Sequence, residues 1–221
     1  YHYFIVIIYT SFIMNVSSED IRRIYRSRMV LLDLMKTQGY ATENYENFSV
    51  NNVEAMIGNN QLDMLLERSD GKKISIIYID KKTQLKAKVI DDCIENLIDI
   101  ENLITKKDDI ILVYKDEPNE NTLTHIKYKF DNEGVYVAVH NIKRLLFNIL
   151  EHSMVPKSRV LSDKEVEELK IKYNLKTLKQ LPEVSRFDPQ SLAMCLRPGQ
   201  VCEYIRKSPS SIESKYYRLC V

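Results

Sequence analysis

Between residues 15 and 140 the spacing of apolar residues switches repeatedly between a helical period and short β-branched runs. No other feature of the sequence restricts the fold as closely. Ser17 to Asp20 supply capping groups for a helix running to about Lys36. Ile21, Ile24, Tyr25, Arg28, Leu31, Leu32 and Met35 fall near one face of that helix, and Gly39 follows as a stop. Residues 61–67 and 74–79 read as strands joined by a turn around Ser69-Asp70-Gly71. A second amphipathic helix fits 85–104, with Ile90, Cys93, Leu97, Ile100 and Ile104 near one side. The run IILVY at 110–114 has the length and β-branching of a buried strand. A short helix at about 120–130 and the strand VYVAV at 135–139 complete the alternation, while the Asn-rich residues 40–60 show no period. Helices and strands in this order predict an α/β domain.

The texture then changes. Ser162-Asp163-Lys164-Glu165 is a capping box that opens a helix through about Lys172. Leu181-Pro182 begins an extended segment, and Asp188-Pro189 starts another helix with Asp at the cap and Pro in the first turn. Arg197-Pro198-Gly199-Gln200 has Pro and Gly at the central positions of a type II turn. Strands follow at 201–206 and 215–221, with 207–214 as a polar connection. This is the pattern of a second, compact α+β module, so the expected division is 14–146 and 147–221.

Residues 1–13 stand apart. The apolar stretch from Tyr3 to Met14 is shorter than the roughly 20 residues that span a bilayer, and it has no basic start or cleavage site. Met14 precedes a good helix start and reads as the natural initiator, with 1–13 as an upstream extension; a membrane-surface anchor is the other reading. No membrane partner is expected of the rest.

Composition narrows the function classes. At 44% hydrophobic and 29% charged, with 5 Gly and 6 Pro, the chain is globular. A formal charge of +1 excludes a protein that coats nucleic acid unaided, so any DNA contact must be local. Cys93, Cys195, Cys202 and Cys220 form no C-x-x-C pair, which signals neither a zinc site nor a disulfide scaffold and favours packing roles in a reducing compartment. No cofactor is expected.

One stretch invites a catalytic reading. The run IIYID at 76–80 ends in an acid, Lys82 follows, and Asp63 lies upstream. Acids that hold Mg²⁺ and a lysine that orients water are what metal-dependent phosphodiester cleavage needs. The other reading is a strand leaving into a polar turn, and Asp70 fits the upstream position as well as Asp63 does. His125, His140 and His152 are isolated and read as surface or half-buried polar residues. Arg22 and Arg26 share a solvent-facing side of the first helix, with Arg28 turned to the apolar side.

The C-terminal stretch from EHSMVPKSRVL at 151–161 to YYRLCV at 216–221 resembles the fifth subunit of eukaryotic-type RNA polymerases. His152, Val155-Pro156, Leu181-Pro182, Asp188-Pro189, Gly199, Val201, Ile205-Arg206 and Tyr217-Arg218 match that family's dispersed motifs in order. The family's C-terminal part alone corresponds to a short subunit of archaeal RNA polymerase. The likeness continues through RIYRSRMVLLDLMKTQGY at 23–40, with Tyr25 in place of the usual tryptophan, and through the two apolar strands. Where the family carries a T-P-S-A loop near downstream DNA, this chain reads Asp116-Glu117-Pro118-Asn119. Only the proline is kept, and two acids repel a phosphate backbone.

The resemblance implies an N-terminal jaw with a restriction-endonuclease-like α/β fold and a small α+β C-terminal assembly domain. It implies a non-catalytic scaffold subunit that docks on the largest polymerase subunit and lies weakly against downstream double-stranded DNA, near Pro118, Asn119 and Asn121. The implied assembly residues are His152, Pro156, Pro182, Asp188, Pro189, Arg197, Gly199, Gln200, Val201, Arg206, Tyr217 and Arg218. Tyr204 and Tyr216 fit either docking or sheet packing. The setting is a nucleus for a cellular polymerase, or a virion or cytoplasmic viral factory for a large DNA virus.

Overall fold

The computed structural model describes residues 17–80, 83–208 and 210–221. Residues 1–13, Met14 and Lys82 therefore lie outside the described residues. Helix α1 (Ser18–Thr37) starts where expected, its first turn capped by the Ser17 hydroxyl, which accepts from the Asp20 N–H. It ends at Gly39, whose φ of +87° lets the Tyr40 N–H fold back onto the Met35 carbonyl. Arg28 is on the apolar side, as its position in the repeat demands. Its Nη1 donates to the Leu62 carbonyl at 2.7 Å, and the guanidinium lies over the Tyr45 and Phe48 rings. That stacking lets a cation occupy a position that is only 2% exposed.

The stretch 40–60, in which no period is legible, holds two helices, α2 (Glu43–Glu46) and α3 (Val50–Gly58). The signal for α3 is short: Ser49 caps it, and Val53 and Ile57, four apart, pack on Ile21 and Ile24. Strands β1 (Met64–Glu67) and β2 (Lys73–Tyr78) form the expected hairpin, with Met64 opposite Ile76. Strands β3 (Asp109–Tyr114) and β4 (Tyr136–Asn141) add in parallel, giving one sheet in the order β1-β2-β3-β4.

Strand β3 is buried at every position because both faces of the sheet are covered. Ile111 and Val113 meet the core that includes α1. Ile110, Leu112 and Tyr114 meet α4 (Ala87–Glu95) and α5 (Glu120–Glu133).

The single helix expected over 85–104 is corrected. After Glu95 the chain makes a π-helical turn, Asn96–Ile100, closed by the Glu101 N–H on the Asn96 carbonyl at 2.9 Å. The extra residue in that turn rotates the succeeding residues off the α-helical stripe. Ile100 is thus 67% exposed, and the chain reverses at Asn102 (φ +50°) to return Ile104 to the core.

The remaining strands make a second sheet, in the order β5-β7-β8-β6. It comprises β5 (Lys157–Val160), β6 (Glu183–Val184), β7 (Val201–Ser208) and β8 (Ser211–Cys220). β7 is antiparallel to β5 and β8, and β6 is parallel to β8. Helix α6 (Asp163–Tyr173) is opened by Glu165, which accepts from the Ser162 N–H, and lies over Val201 and Leu219. The 197–200 turn is as expected: the Gln200 N–H donates to the Arg197 carbonyl, and Gly199 has φ +86°. The polar connection expected at 207–214 is instead mostly strand, since β7 and β8 continue past the sheet as a two-stranded ribbon. Its residues are largely exposed, so its sequence lacks an apolar face. Between the sheets runs α7 (Pro189–Ala193), and Leu192, Ala193 and Cys195 are buried in the core of the first sheet beside Tyr40 and Tyr136. The architecture as a whole is mixed α/β.

Candidate functional site

The residues implied for assembly separate by what their side chains touch. Asp188 caps α7, accepting from the Gln190 N–H at 2.9 Å, and Pro189 fills the first helical position. The Gln190 amide in turn donates to the Pro156 carbonyl. Gln200 accepts from the Arg197 N–H, which locks the turn from within. Val201 is core, the Tyr217 hydroxyl donates to Glu203, and Arg218 donates to the Glu183 carbonyl. These residues build the module. His152, Pro182, Gly199 and Arg206 instead present exposed surface to a partner. Tyr204 is buried and stacks on Tyr216 with ring centroids 5.2 Å apart, which favours sheet packing for that pair.

Arg197 does more than its turn suggests. Its Nε donates to Asp109 Oδ1 at 2.9 Å and its Nη2 to the carbonyls of Lys107 and Asp108, with the guanidinium over the Tyr136 ring. Lys72 Nζ reaches the other oxygen of Asp109 at 2.5 Å. A carboxylate with almost no exposed surface is thus held by one cation from the β1–β2 hairpin and one from the turn before β7. The Gln38 amide adds a bond to the Ala193 carbonyl at 2.9 Å. Sequence reasoning misses Asp109, because an acid at the head of a β-branched run looks like a strand end.

At the loop that follows β3, the two acids are not equivalent. Glu117 accepts from Asn141 and pairs with Arg144 at 2.9 Å, so its charge is answered within the protein. Asn119 caps α5, its Oδ1 accepting from the Thr122 N–H at 2.8 Å and from the Thr122 hydroxyl at 2.7 Å. Pro118 is half-buried and Asn121 exposed. Asn119→Ala is expected to remove about 1 kcal/mol of stability, the usual worth of an N-cap. For a chain of this size that lowers Tm by roughly 2–4 °C without DNA present. An unchanged melting curve would show that the cap contributes nothing.

The acids of the catalytic reading are dispersed in role. Asp63 Oδ1 accepts from the Tyr78 N–H at 3.1 Å and so ties the chain entering β1 to the end of β2. Asp80 is exposed, and Lys82 lies outside the described residues. Among the described residues no three His, Cys, Asp or Glu side chains gather as a metal ion requires. Asp63 keeps part of its surface in water, yet burial around the carboxyl pushes its pKa up to about 6 against the Tyr78 hydrogen bond. A raised carboxyl pKa means that ionisation costs stability as pH climbs from the ordinary value near 4 through 6. Asp63→Asn, which keeps the acceptor, should therefore melt higher than the parent at pH 7.5 and level with it below about pH 4. An equal difference at both pH values would contradict this.

The histidines need a correction. His140 is neither on the surface nor half-buried: it is 5% exposed, and its Nε2 has no hydrogen-bond partner. Burial, with the positive charge of Arg144, lowers its pKa to about 4. It faces inwards because β4, one of the parallel strands, is covered on both sides. All four cysteines are free, and burial raises the thiol pKa of Cys195 to about 12 and of Cys202 and Cys220 to about 11. They pack.

Comparison with known proteins bears on the same stretch. The family described as "RNA polymerase Rpb5, C-terminal domain" matches residues 147–220. The DNA-directed RNA polymerase subunit Rpo5 of Thermococcus kodakarensis is 45% identical over 75 residues, 34% of this chain and 90% of that one. The subunit of the same name from Staphylothermus marinus is 46% identical over 74 residues, covering 34% and 80%. DNA-directed RNA polymerase V subunit 5A of Arabidopsis thaliana is 28% identical over 196 residues, covering 85% of this chain and 83% of that one. The archaeal likeness takes in nearly the whole of a short protein, and the plant likeness extends it through most of this chain. The chain belongs to the fifth-subunit family of DNA-directed RNA polymerases, whose members are non-catalytic components of the transcribing complex.

Proposed function

We propose that residues 147–221 dock this subunit on the largest polymerase subunit, and that residues 14–146 form a jaw beside downstream duplex DNA. The single observation that carries this is the near-complete coverage of the short archaeal subunits by a stretch of this chain. A segment that makes up most of a subunit elsewhere is the natural part to carry assembly. His152, Pro182, Gly199 and Arg206 supply its exposed contacts, with an arginine of the kind enriched at interfaces. Asp188, Arg197 and Tyr217 act by holding that surface in shape.

The jaw takes a restriction-endonuclease-like fold in this reading. Support comes from a hairpin followed by two parallel strands with α4 and α5 as crossovers. The DNA contact is weak and arises only in the complex. Asn119 is committed to its helix cap and Glu117 to Arg144, so Pro118 and Asn121 remain to face the duplex. A protein of net charge +1 has no long-range attraction for DNA on its own. The subunit works where its polymerase works: a nucleus for a cellular enzyme, a virion or viral factory for a viral one.

Affinity purification of the tagged chain tests the docking. The largest polymerase subunit should be recovered, and Arg206→Glu should reduce the recovery severalfold with an unchanged melting curve. Recovery of smaller subunits without the largest would overturn the assignment.

A further inference from the structure

A cavity of about 200 Å³ opens where the end of β4 meets α7. Its floor is apolar, with Leu34, Val139, Leu192 and Ala193, and each of these is at most 7% exposed. Glu117, Arg144 and the half-exposed Phe147 stand among its lining residues, and so does His140. The His140 Nε2 touches neither solvent nor any protein partner. A buried polar atom without a partner costs about 1–3 kcal/mol, so the site has a polar demand set in an apolar wall.

We propose that this cavity is a socket for one tyrosine side chain of a neighbouring polymerase subunit, its ring filling the apolar volume and its hydroxyl meeting His140 Nε2. Size selects the ring: an aliphatic cavity of about 150 Å³ is enough to accept benzene. The histidine selects the hydroxyl. Held neutral, an imidazole offers one N–H and one lone pair, and which of them sits at Nε2 depends on the tautomer. A phenol hydroxyl donates or accepts and so suits both. A phenylalanine ring would leave Nε2 unmet, and a charged side chain would lose its hydration against Leu34 and Leu192. A modest turn of the imidazole about χ2 brings Nε2 to the cavity wall. Aromatic anchors seated in pockets of this kind dominate many interfaces. The source of the tyrosine rests on membership in the polymerase; the chemistry of the socket does not.

Two arms test it on the full chain. In the first, p-cresol and toluene are titrated into the isolated protein and followed by NMR. A purely apolar cavity binds toluene more tightly, because burying an unpaired hydroxyl is unfavourable. The expected order is the reverse, p-cresol ahead by about threefold to tenfold, with the order restored to toluene first in His140→Phe. Failure of either ligand to bind, or toluene ahead in the parent protein, overturns the socket, and that parent result stands even if the variant does not fold. In the second arm, a photocrosslinking phenylalanine analogue replaces Phe147 in the assembled polymerase. A crosslink to a tyrosine-bearing segment of another subunit supports the source. Crosslinks confined to this chain, or to segments without tyrosine, overturn it. Absence of any co-purifying subunit would instead count against the assembly function, which keeps the two failures distinct.

Discussion

Replacing Asp109 with alanine is expected to lower stability by about 3–5 kcal/mol, the range for removing one partner of a buried ion pair. For a chain of this size that is a fall in Tm on the order of 10 °C. The loss comes less from the missing attraction than from the cations left behind. Arg197 and Lys72 are only 22% and 25% exposed at the side chain, and without Asp109 they remain partly desolvated with no counter-charge. Asp109→Asn should be milder, since the amide oxygen still accepts from Arg197 Nε. Arg197→Ala removes the bonds to the Lys107 and Asp108 carbonyls as well, so its effect should approach that of Asp109→Ala. Adding the second truncation to the first should then cost little more, because both break one network. Urea denaturation of the two single alanine variants and the double variant checks this. A fully additive double mutant would mean that the two side chains act independently.

The second large effect is a loss of stability in mild acid centred on His140. Its folded pKa of about 4 lies below the ordinary histidine value near 6.5. The unfolded chain therefore takes up a proton at a pH where the folded one does not. Stability contributed by the neutral imidazole is complete above about pH 6.5 and drains away as pH falls towards 4. At one pKa unit per 1.36 kcal/mol, the loss by pH 4.5 is about 2–3 kcal/mol. His140→Phe should flatten that part of the profile while leaving the carboxylate-driven fall at lower pH. The check is unfolding free energy at pH 7.5 and 4.5 for both proteins. If the parent and the variant lose equal amounts between those values, His140 is not the group responsible.

Local patterns of the fold were legible where a residue's own neighbours in sequence decide its place. The cap at Ser17, the box at Ser162, the Pro-Gly turn before β7 and the unbroken apolar run of β3 all appear where the spacing puts them. The π-helical turn was not legible, because one extra residue in a helix leaves no mark on composition. Helix α3 was hidden because two apolar residues are too few to set a period. Strand β6 exists through its pairing with β8, more than thirty residues later. The assembly surface was readable only in part. Motif matches found the residues, but the sequence could not tell Asp188 and Tyr217, which brace the module, from His152 and Arg206, which face outwards. Asp109 and His140 were missed for one reason: each matters through distant partners, or through lacking one, which no local window contains.

The burial of Leu192, Ala193 and Cys195 in the core of the first sheet has a consequence for how the chain emerges from a ribosome. The first sheet is fully synthesised at Asn141, yet the residues that close one side of its core come some fifty positions later. At 5–20 residues per second that interval is roughly 3–10 s, during which Tyr40, Tyr136 and Ala138 stay uncovered on that side. A nascent subunit of this design must wait, open and prone to wrong contacts, for its last quarter to arrive. The short archaeal relatives, which align with only a third of this chain, have no such interval to survive.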